Sequence, residues 1–381
     1  MQHKIKNLSK AVSRVKKAIK KQEAITLFGD GDLDGATAVS IVQEAIATYG
    51  GKVDKVYFPD REKEGYGLNE KSLAFIKQYA PGLLIVLDSG VSSHNALKQA
   101  KALGFDSVVI DHHEVLGEVP KYGLIIDPKQ PKDNYPFKKL SASSLAYLFA
   151  KELLGKQISP AFLQGLKELA ALGAIADMMP EEDVNQEVIS AGLETICDSF
   201  RLGFGALKQV CWKQEDSPRV FFSKMVGILN ITETRAGLTD TYLLLNSSDK
   251  DKALELSKNL LVESEQRRLE IKNIADVIAG EDQSSPSKIV FDGSPGYQQY
   301  LTGAIASRVC NKTQKPIFIY KLGEEESRGS VRMPKGIDAV KVLQKCEGLL
   351  LMFGGHPPAA GFHLKNENIE KFKDCLEKQF T

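Results

Sequence analysis

Residues 24–35 read AITLFGDGDLDG, an apolar run followed at once by three aspartates at every second position and a glycine. A short apolar run bounded by turn residues is typical of a buried strand in a parallel sheet. If the segment after it is extended, Asp30, Asp32 and Asp34 point to the same side of the chain. Crowded carboxylates repel one another unless a cation lies among them, so the segment predicts a metal site. A turn rich in Asp and Gly is the alternative interpretation.

Short apolar runs alternate with helical patterns from residue 24 to about residue 190, as a parallel α/β sheet requires. The predicted strands cover residues 24–28, 53–58, 83–87, 107–110 and 124–126. The fold class is therefore predicted as α/β, with a parallel-sheet domain and its helical extension over residues 1–248. A charged helix without Gly or Pro and a polar linker fill residues 249–287. A second, smaller α/β domain covers residues 288–381.

The composition limits the class of protein. The chain has 381 residues, of which 43% are hydrophobic, and a formal net charge of +1. This charge excludes a globally basic nucleic-acid coat protein, so any anion site must be local. The longest apolar stretches are too short to cross a bilayer, which predicts a cytoplasmic protein without a membrane partner. Five scattered cysteines predict reduced thiols rather than a disulfide framework or a zinc knuckle.

Residues 1–22 hold eight Lys or Arg and no acid, and their apolar residues recur at helical spacing. The spacing predicts an amphipathic helix that packs one apolar stripe on the body of the protein. Its basic face either is solvated or contacts a polyanion.

Further carboxylates follow other predicted strands. Asp88 comes directly after residues 83–87, and Asp111 comes directly after residues 107–110. Parallel topology brings such positions to one edge of the sheet. Asp111 is followed by His112 and His113, which suits a metal with mixed oxygen and nitrogen ligands. Asp177 ends an apolar helical run, where an acid needs a partner or exposure.

These motifs resemble the DHH phosphoesterase superfamily and, within it, the RecJ-like single-stranded-DNA exonucleases. The matching segments are residues 30–37 (DGDLDGAT), 87–94 (LDSGVSSH), 110–114 (IDHHE), 171–177 (ALGAIAD) and 354–361 (GGHPPAAG). The last segment is similar to the Gly-Gly-His signature of the DHH-associated domain. Asp30 occupies a place where many superfamily members carry His, and the Asp-rich version points to the RecJ branch.

The resemblance implies a catalytic centre that binds two divalent ions, Mn²⁺ or Mg²⁺, which activate a water for attack on a phosphodiester. The implied metal ligands are Asp30, Asp32, Asp34, Asp88, His112 and Asp177. Catalytic roles beside the metal fall to Asp111, His112 and His113, the first and last of which orient or touch phosphate. The implied substrate-binding residues are Arg61, Arg235, Arg308, Ser330, Arg332 and His356.

The leading hypothesis is a 5′-to-3′ exonuclease on single-stranded DNA. The alternative is a phosphodiesterase of short oligoribonucleotides, cyclic dinucleotides or bisphosphate nucleotides, and a third interpretation is a noncatalytic scaffold. The chain is expected to lack the OB-fold that full-length RecJ-like proteins carry. A DNA-binding protein partner that compensates for that domain is therefore an additional expectation.

Overall fold

The computed structural model describes residues 4–115, 117–282 and 286–380, and within them the side chains of Gln157 and His356 are left undescribed. The chain divides into two compact units, Met1–Ser264 and Glu265–Thr381. The predicted domain boundaries at residues 248 and 288 stay predictions. The predicted α/β class is confirmed, because the first unit contains a five-stranded sheet in which every pairing is parallel.

The elements of the first unit follow the predicted alternation of strands and helices. In chain order they are α1 (Leu8–Lys21), β1 (Ala24–Gly29), α2 (Leu33–Thr48), β2 (Lys55–Tyr57), α3 (Glu70–Ile76), β3 (Gly82–Leu87), α4 (His94–Ala102), β4 (Phe105–Ile110), β5 (Leu124–Ile126), α5 (Ala142–Leu154), α6 (Pro160–Ala176), α7 (Asp183–Thr195), α8 (Leu202–Cys211), α9 (Pro218–Leu229), β6 (Thr234–Arg235), β7 (Leu238–Thr239) and α10 (Asp240–Leu245). Helix α11 (Lys250–Asp282) carries the chain from the first unit into the second.

The strand order of the first sheet is β2-β1-β3-β4-β5. The order reverses between β1 and β3, and open sheets bind ligands at the carboxyl ends of strands beside such a reversal. Alternate residues of the central strands enter two different cores, with Leu27 and Ile85 on one face and Phe28 and Val86 on the other. Both faces of the sheet are therefore covered, which explains why β1 and β3 are almost uniformly apolar.

Helix α1 packs as its apolar spacing predicts. Its buried residues are Leu8, Ala11, Val12, Val15 and Ala18, and they join the core that contains α2 and β1. Lys10, Lys17, Lys20 and Lys21 remain exposed on the opposite side. Because the buried stripe belongs to the main core, the basic face is held on a fixed helix.

The second unit is built on a mixed sheet in the order β11-β12-β10-β9-β8. Its elements are β8 (Val290–Ser294), α12 (Thr302–Thr313), β9 (Ile317–Lys321), β10 (Glu326–Arg332), α13 (Ala339–Gln344), β11 (Met352–His356), β12 (Ala359–Lys365) and α14 (Ile369–Glu377). Only β8 and β9 pair in parallel among its strands as described.

The prediction that all cysteines are reduced is wrong in the second unit. Cys346 and Cys375 form a disulfide across a sequence separation of 29 residues. Cys346 follows α13 and Cys375 lies on α14, and both helices bury residues in the same core. The pairing depends on this tertiary contact, which no local spacing of cysteines indicates.

In the described ranges, no helix is both long enough and apolar enough to cross a membrane.

Candidate active site

Three aspartates mark the carboxyl ends of neighbouring strands. Asp30, Asp88 and Asp111 directly follow β1, β3 and β4. The backbone amide of each donates to a carbonyl of the neighbouring strand in the sheet order β1-β3-β4-β5, at 2.9 to 3.2 Å. The acceptor is in each case the last residue of that neighbouring strand. These bonds extend the parallel ladder by one residue, so the three aspartates lie in register at one edge of the sheet. The edge includes the strand-order reversal between β1 and β3.

His112 is the point at which four separate segments meet. Its Nε2 lies 3.2 Å from Oδ1 of Asp88, 3.5 Å from Oδ2 of Asp177 and 3.9 Å from Oδ2 of Asp34. Asp177 is the residue at the carboxyl end of α6, and Asp34 lies in the first turn of α2. The structure therefore brings the predicted helix-end acid to the strand-end acids. We call the six residues Asp30, Asp32, Asp34, Asp88, His112 and Asp177 the acidic centre.

The start of α2 fixes two members of the acidic centre. Asp32 caps the helix by accepting a hydrogen bond from the amide of Gly35 at 3.1 Å. Asp34 is buried, and its two carboxylate oxygens accept from the amides of Ala142 and Ser143 at 2.7 and 3.0 Å. Since both amides belong to the start of α5, the carboxylate is held between two helices. Burial raises the pKa of Asp34 to about 6 despite these hydrogen bonds.

The electrostatics of the acidic centre fit a divalent cation. Burial, with the neighbouring carboxylates of Asp32 and Asp34 adding to it, raises the pKa of Asp88 well above its usual range. Burial and the same two carboxylates raise the pKa of Asp177 to about 8. Oδ1 of Asp88 and Oδ2 of Asp177 are buried and accept no hydrogen bond. Unsatisfied buried oxygens beside an imidazole are the donor set of a metal site with mixed ligands.

Three overlapping groups of side chains place their ligand atoms within 4.8 Å of one another. They are Asp88, His112 and His113; Asp34, His112 and Asp177; and Asp30, Asp32 and Asp88. Asp88 belongs to two of the groups, and because a carboxylate has two oxygens, its side chain could serve two neighbouring ions. Every residue predicted as a metal ligand therefore belongs to at least one group that could hold an ion.

Asp111 anchors the segment that carries the histidines. Its Oδ1 accepts from the amides of His112 and His113 at 2.7 and 3.2 Å and lies 2.8 Å from Nδ1 of His113. Its Oδ2 accepts from the amide of Val91 at 2.9 Å. Burial opposes ionisation of Asp111, but His113, His112 and the amide of Val91 together outweigh burial and lower the pKa of the carboxyl. Asp111 therefore orients the backbone of both histidines and the imidazole of His113.

His113 is poised to carry a positive charge. Burial disfavours its protonation, but the carboxylate of Asp111, with those of Asp30 and Asp177 adding to it, outweighs burial and raises the pKa of His113 to about 9. Its Nε2 lies 3.4 Å from the hydroxyl of Tyr66. A protonated imidazole beside the acidic centre suits an anionic group such as phosphate.

Arg61 contacts the acidic centre directly. Its Nε donates to Oδ1 of Asp30 at 2.9 Å, and its terminal nitrogen bonds Oδ2 of Asp30 and donates to Oδ2 of Asp32 at 3.1 Å. Asp30 also accepts from the amide of Gly31. Both oxygens of Asp30 are thus engaged by the protein itself. The role of Asp30 as a metal ligand stays a prediction, as does the role of Arg61 in substrate binding.

Arg61→Met is expected to lower the free energy of unfolding by about 2–4 kcal/mol, because it leaves Asp30 buried without its cation. Urea unfolding measures the loss. The double variant Asp30→Asn/Arg61→Met should recover most of it, since the uncompensated charge is then gone. Arg219→Met is the matched control, because its pairing with Glu181 is exposed and such pairs contribute about 1 kcal/mol or less. Equal losses in the two single variants would contradict the burial argument.

A fourth strand-end carboxylate, Asp127, was not among the predicted site residues. It directly follows β5, and its side chain is buried. Its Oδ1 accepts from the amide of Lys129 at 2.7 Å, while its Oδ2 is buried and accepts no hydrogen bond. Burial raises the pKa of Asp127 to about 7. The signal that could have found it is the one that singled out Asp88 and Asp111, an acid immediately after a predicted strand.

The second unit collects three of the predicted substrate-binding residues. Nε of Arg332 donates to Oγ of Ser307 at 2.9 Å, and Oγ of Ser330 lies 2.8 Å from Oγ1 of Thr302. Thr302 and Ser307 belong to α12, and Arg308 lies on the same helix. Arg332 is half-buried, and this burial lowers the pKa of its guanidinium. Ser330 and Arg332 lie beside Gly303 in the first turn of α12, where backbone amides favour anions.

The remaining two predicted residues are placed differently. Arg235 lies on the two-stranded hairpin of β6 and β7, is largely exposed, and approaches Asp240 at 3.7 Å. It does not join the acidic centre. The side chain of His356 lies outside the described part of the structure.

Comparisons with known proteins agree with this geometry. The DHH family, N-terminal domain, matches residues 24–175, and the DHHA1 domain matches residues 287–381. The single-stranded-DNA-specific exonuclease RecJ of Bacillus subtilis is 32% identical over an alignment of 380 residues, and the match covers 98% of this chain and 48% of that protein. The chain thus spans about half the length of this curated relative.

Two solved structures are also similar to the chain. A crystal structure of exonuclease RecJ bound to manganese has a TM-score of 0.81 and 26% identity, and the match covers 100% of this chain and 95% of that one. The Mn²⁺ complex of RecJ from Thermus thermophilus has a TM-score of 0.84 and 25% identity, over 100% of this chain and 55% of that one. The acidic motifs assembled at one sheet edge thus lie within or directly after a DHH-family domain over residues 24–175, and a DHHA1 domain follows it over residues 287–381.

Proposed function

We propose that the chain is a metal-dependent exonuclease that removes nucleotides from the 5′ end of single-stranded DNA. The observation that carries the proposal is the convergence of Asp34, Asp88 and Asp177 on Nε2 of His112, with two buried carboxylate oxygens left without hydrogen bonds. The RecJ relatives from Bacillus subtilis and Thermus thermophilus are named as exonucleases specific for single-stranded DNA, which supports this substrate.

The acidic centre would hold two divalent ions, Mn²⁺ or Mg²⁺. Solved RecJ structures contain these ions, and the imidazole of His112 favours Mn²⁺, since Mg²⁺ prefers all-oxygen ligands. Bound there, the ions would activate a water for in-line attack on phosphorus and stabilise the leaving oxygen. No side chain of the protein has to act as a nucleophile.

The protein's own residues would orient the substrate. Asp111 holds the backbone of His112 and His113, so both imidazoles keep their place during turnover. His113, protonated through its contact with Asp111, would donate a hydrogen bond to a phosphate oxygen. We further propose that Ser330 and Arg332 bind a substrate phosphate, as does Arg61 at the 5′ end.

Purified protein with Mn²⁺ and labelled, 5′-phosphorylated oligonucleotides of several lengths tests the proposal. A product ladder that starts at the 5′ end is the expected result, and a chelator should abolish it. Turnover confined to very short or cyclic substrates would favour the phosphodiesterase of small substrates instead. Binding without turnover would overturn the enzymatic proposal.

A cytoplasmic location and a DNA-binding protein partner stay predictions.

Arg332→Ala is expected to raise KM for a 5′-phosphorylated oligonucleotide about 10-fold or more, because a charge-assisted hydrogen bond to phosphate is lost. The kcat should change little, since the acidic centre is intact. Steady-state kinetics separate the two parameters. Arg268→Ala, which removes an exposed arginine of the same unit, is the control and should leave both unchanged. A fall in kcat with constant KM would contradict a binding role for Arg332.

A further inference from the structure

The carboxyl end of α6 contains an unusual residue. The amides of Met178 and Met179 donate to the carbonyls of Ile175 and Ala174 at 3.2 and 3.0 Å, which is the hydrogen-bond pattern of a Schellman motif. The motif requires a left-handed residue, usually glycine. Here that position is Met178, with φ of 53°. A side chain with a Cβ strains the backbone there.

The fold gains little from this methionine. Its side chain is 89% exposed, and the next most exposed large hydrophobic residue in the described ranges, Met352, is 69% exposed. The free energy of burying the side chain therefore does not offset the backbone strain at Met178. The other described non-glycine residues with positive φ are polar or small: Asn7, Gln22, Asp88, Lys132, Asp183, Ala236 and Gln314. A strained residue without a structural role points to function.

Met178 lies next to Asp177, the most exposed acid of the acidic centre. It directly follows Asp177, whose Oδ2 is 3.5 Å from Nε2 of His112. The side chain of Asp177 is 39% exposed, whereas those of His112 and Asp34 are 3% exposed. Asp32, at 33% exposed, is the other acid of the centre that is open to solvent. A nucleotide whose phosphate is bound beside Asp177 lies within reach of the adjacent residue 178.

We propose that Met178 contacts the base of the nucleotide whose phosphate is bound at the acidic centre. The inference rests on the proposed exonuclease function and adds a residue that positions the nucleotide. A thioether is flexible and polarisable, and it makes favourable contacts with aromatic rings. It can pack on the face of any base without hydrogen bonds to the base edge. An enzyme that degrades strands of any sequence requires such a contact.

The test compares Met178→Gly with Gln22→Gly. Gln22 occupies the same position of a Schellman motif at the end of α1, with φ of 54° and hydrogen bonds of 3.1 and 3.0 Å to the preceding turn. Both glycine variants should melt at the parental temperature or a few degrees above it, because the same strain is relieved. Both should also keep the rise in melting temperature that Mn²⁺ produces, which shows that the acidic centre is intact.

The kinetics should separate the two variants. Met178→Gly is expected to raise KM for a 5′-phosphorylated oligonucleotide about 2- to 10-fold, which is the range of a sulfur–aromatic contact. Gln22→Gly should leave KM unchanged, and Met178→Leu should restore most of the affinity. With an oligonucleotide whose 5′-terminal nucleotide is abasic, the parent and Met178→Gly should have equal KM, since the contact partner is missing.

The outcomes distinguish this inference from the function on which it rests. If the parent hydrolyses oligonucleotides and Met178→Gly has the parental KM, the assignment of Met178 is wrong while the exonuclease proposal stands. A KM defect that persists on the abasic oligonucleotide would also overturn the assignment, because the base would not be the partner. If the parent with Mn²⁺ hydrolyses none of the oligonucleotides, the proposed function is wrong, and the assignment of Met178 is then wrong as well because it rests on that function.

Discussion

Asp88→Asn is expected to reduce the hydrolysis of single-stranded DNA by about a thousandfold or more. Metal ions contribute several kcal/mol to stabilising the transition state, and each 1.4 kcal/mol is about tenfold in rate. Asp88 belongs to two of the three groups that could hold an ion, so its loss should disturb both ions. Asparagine tolerates the left-handed backbone at this position, where φ is 59°, so the loop should keep its shape.

The variant also has a readout that does not depend on activity. Burial and the carboxylates of Asp32 and Asp34 oppose ionisation of Asp88, so a side chain that cannot ionise should raise the melting temperature of the metal-free protein. The shift that Mn²⁺ produces should shrink at the same time. Asp183→Asn is the matched control, because Asp183 is also left-handed, with φ of 51°, but lies outside the acidic centre. Parental turnover in Asp88→Asn would refute its role as a ligand.

Mn²⁺ is expected to raise the melting temperature of the metal-free protein by about 10 °C at a concentration about a thousand times its Kd. The effect should grow as the pH rises from 6 to 8. Burial and like charges give Asp177 a folded pKa of about 8, against an ordinary value of 3.8. Between these values the folded, metal-free protein binds more protons than the unfolded chain, so its stability falls as the pH rises. The ion replaces those protons and removes the repulsion.

Differential scanning fluorimetry at pH 6 and pH 8, with and without Mn²⁺, measures this dependence. The variant Asp88→Asn/Asp177→Asn is the control, because it lacks two of the crowded carboxylates, and its Mn²⁺ shift should be small at both pH values. A shift for the parent protein that is larger at pH 6 than at pH 8 would contradict the model of protons and metal competing for the same oxygens.

Local sequence signals were sufficient to predict that Asp30, Asp88 and Asp111 lie at one edge of the sheet. A parallel strand runs in a known direction, so an acid that follows it must emerge at the carboxyl edge. The strand bounds were less secure, since the predicted strand at residues 53–58 is β2 over Lys55–Tyr57. Ends of strands depend on pairing partners, which a single segment does not specify.

Contacts between distant segments were not predictable in the same way. The pairing of Arg61 with Asp30 joins a loop after β2 to the end of β1. The disulfide between Cys346 and Cys375 likewise depends on two helices packing in one core. Each requires the three-dimensional arrangement, because the residues involved carry no periodic or positional signal of their own.

The place of β1 in its sheet has a consequence for biosynthesis. β1 is made before either neighbour, β2 or β3, and pairs with both. Proteins emerge from the ribosome amino-terminus first, so β1 can pair with β2 before β3 exists, and its other edge stays open until residue 87 has been translated. Asp88 is added only then, beside a strand that is already able to pair. Nascent chains halted before this point would expose an apolar, aggregation-prone ribbon that chaperones must shield.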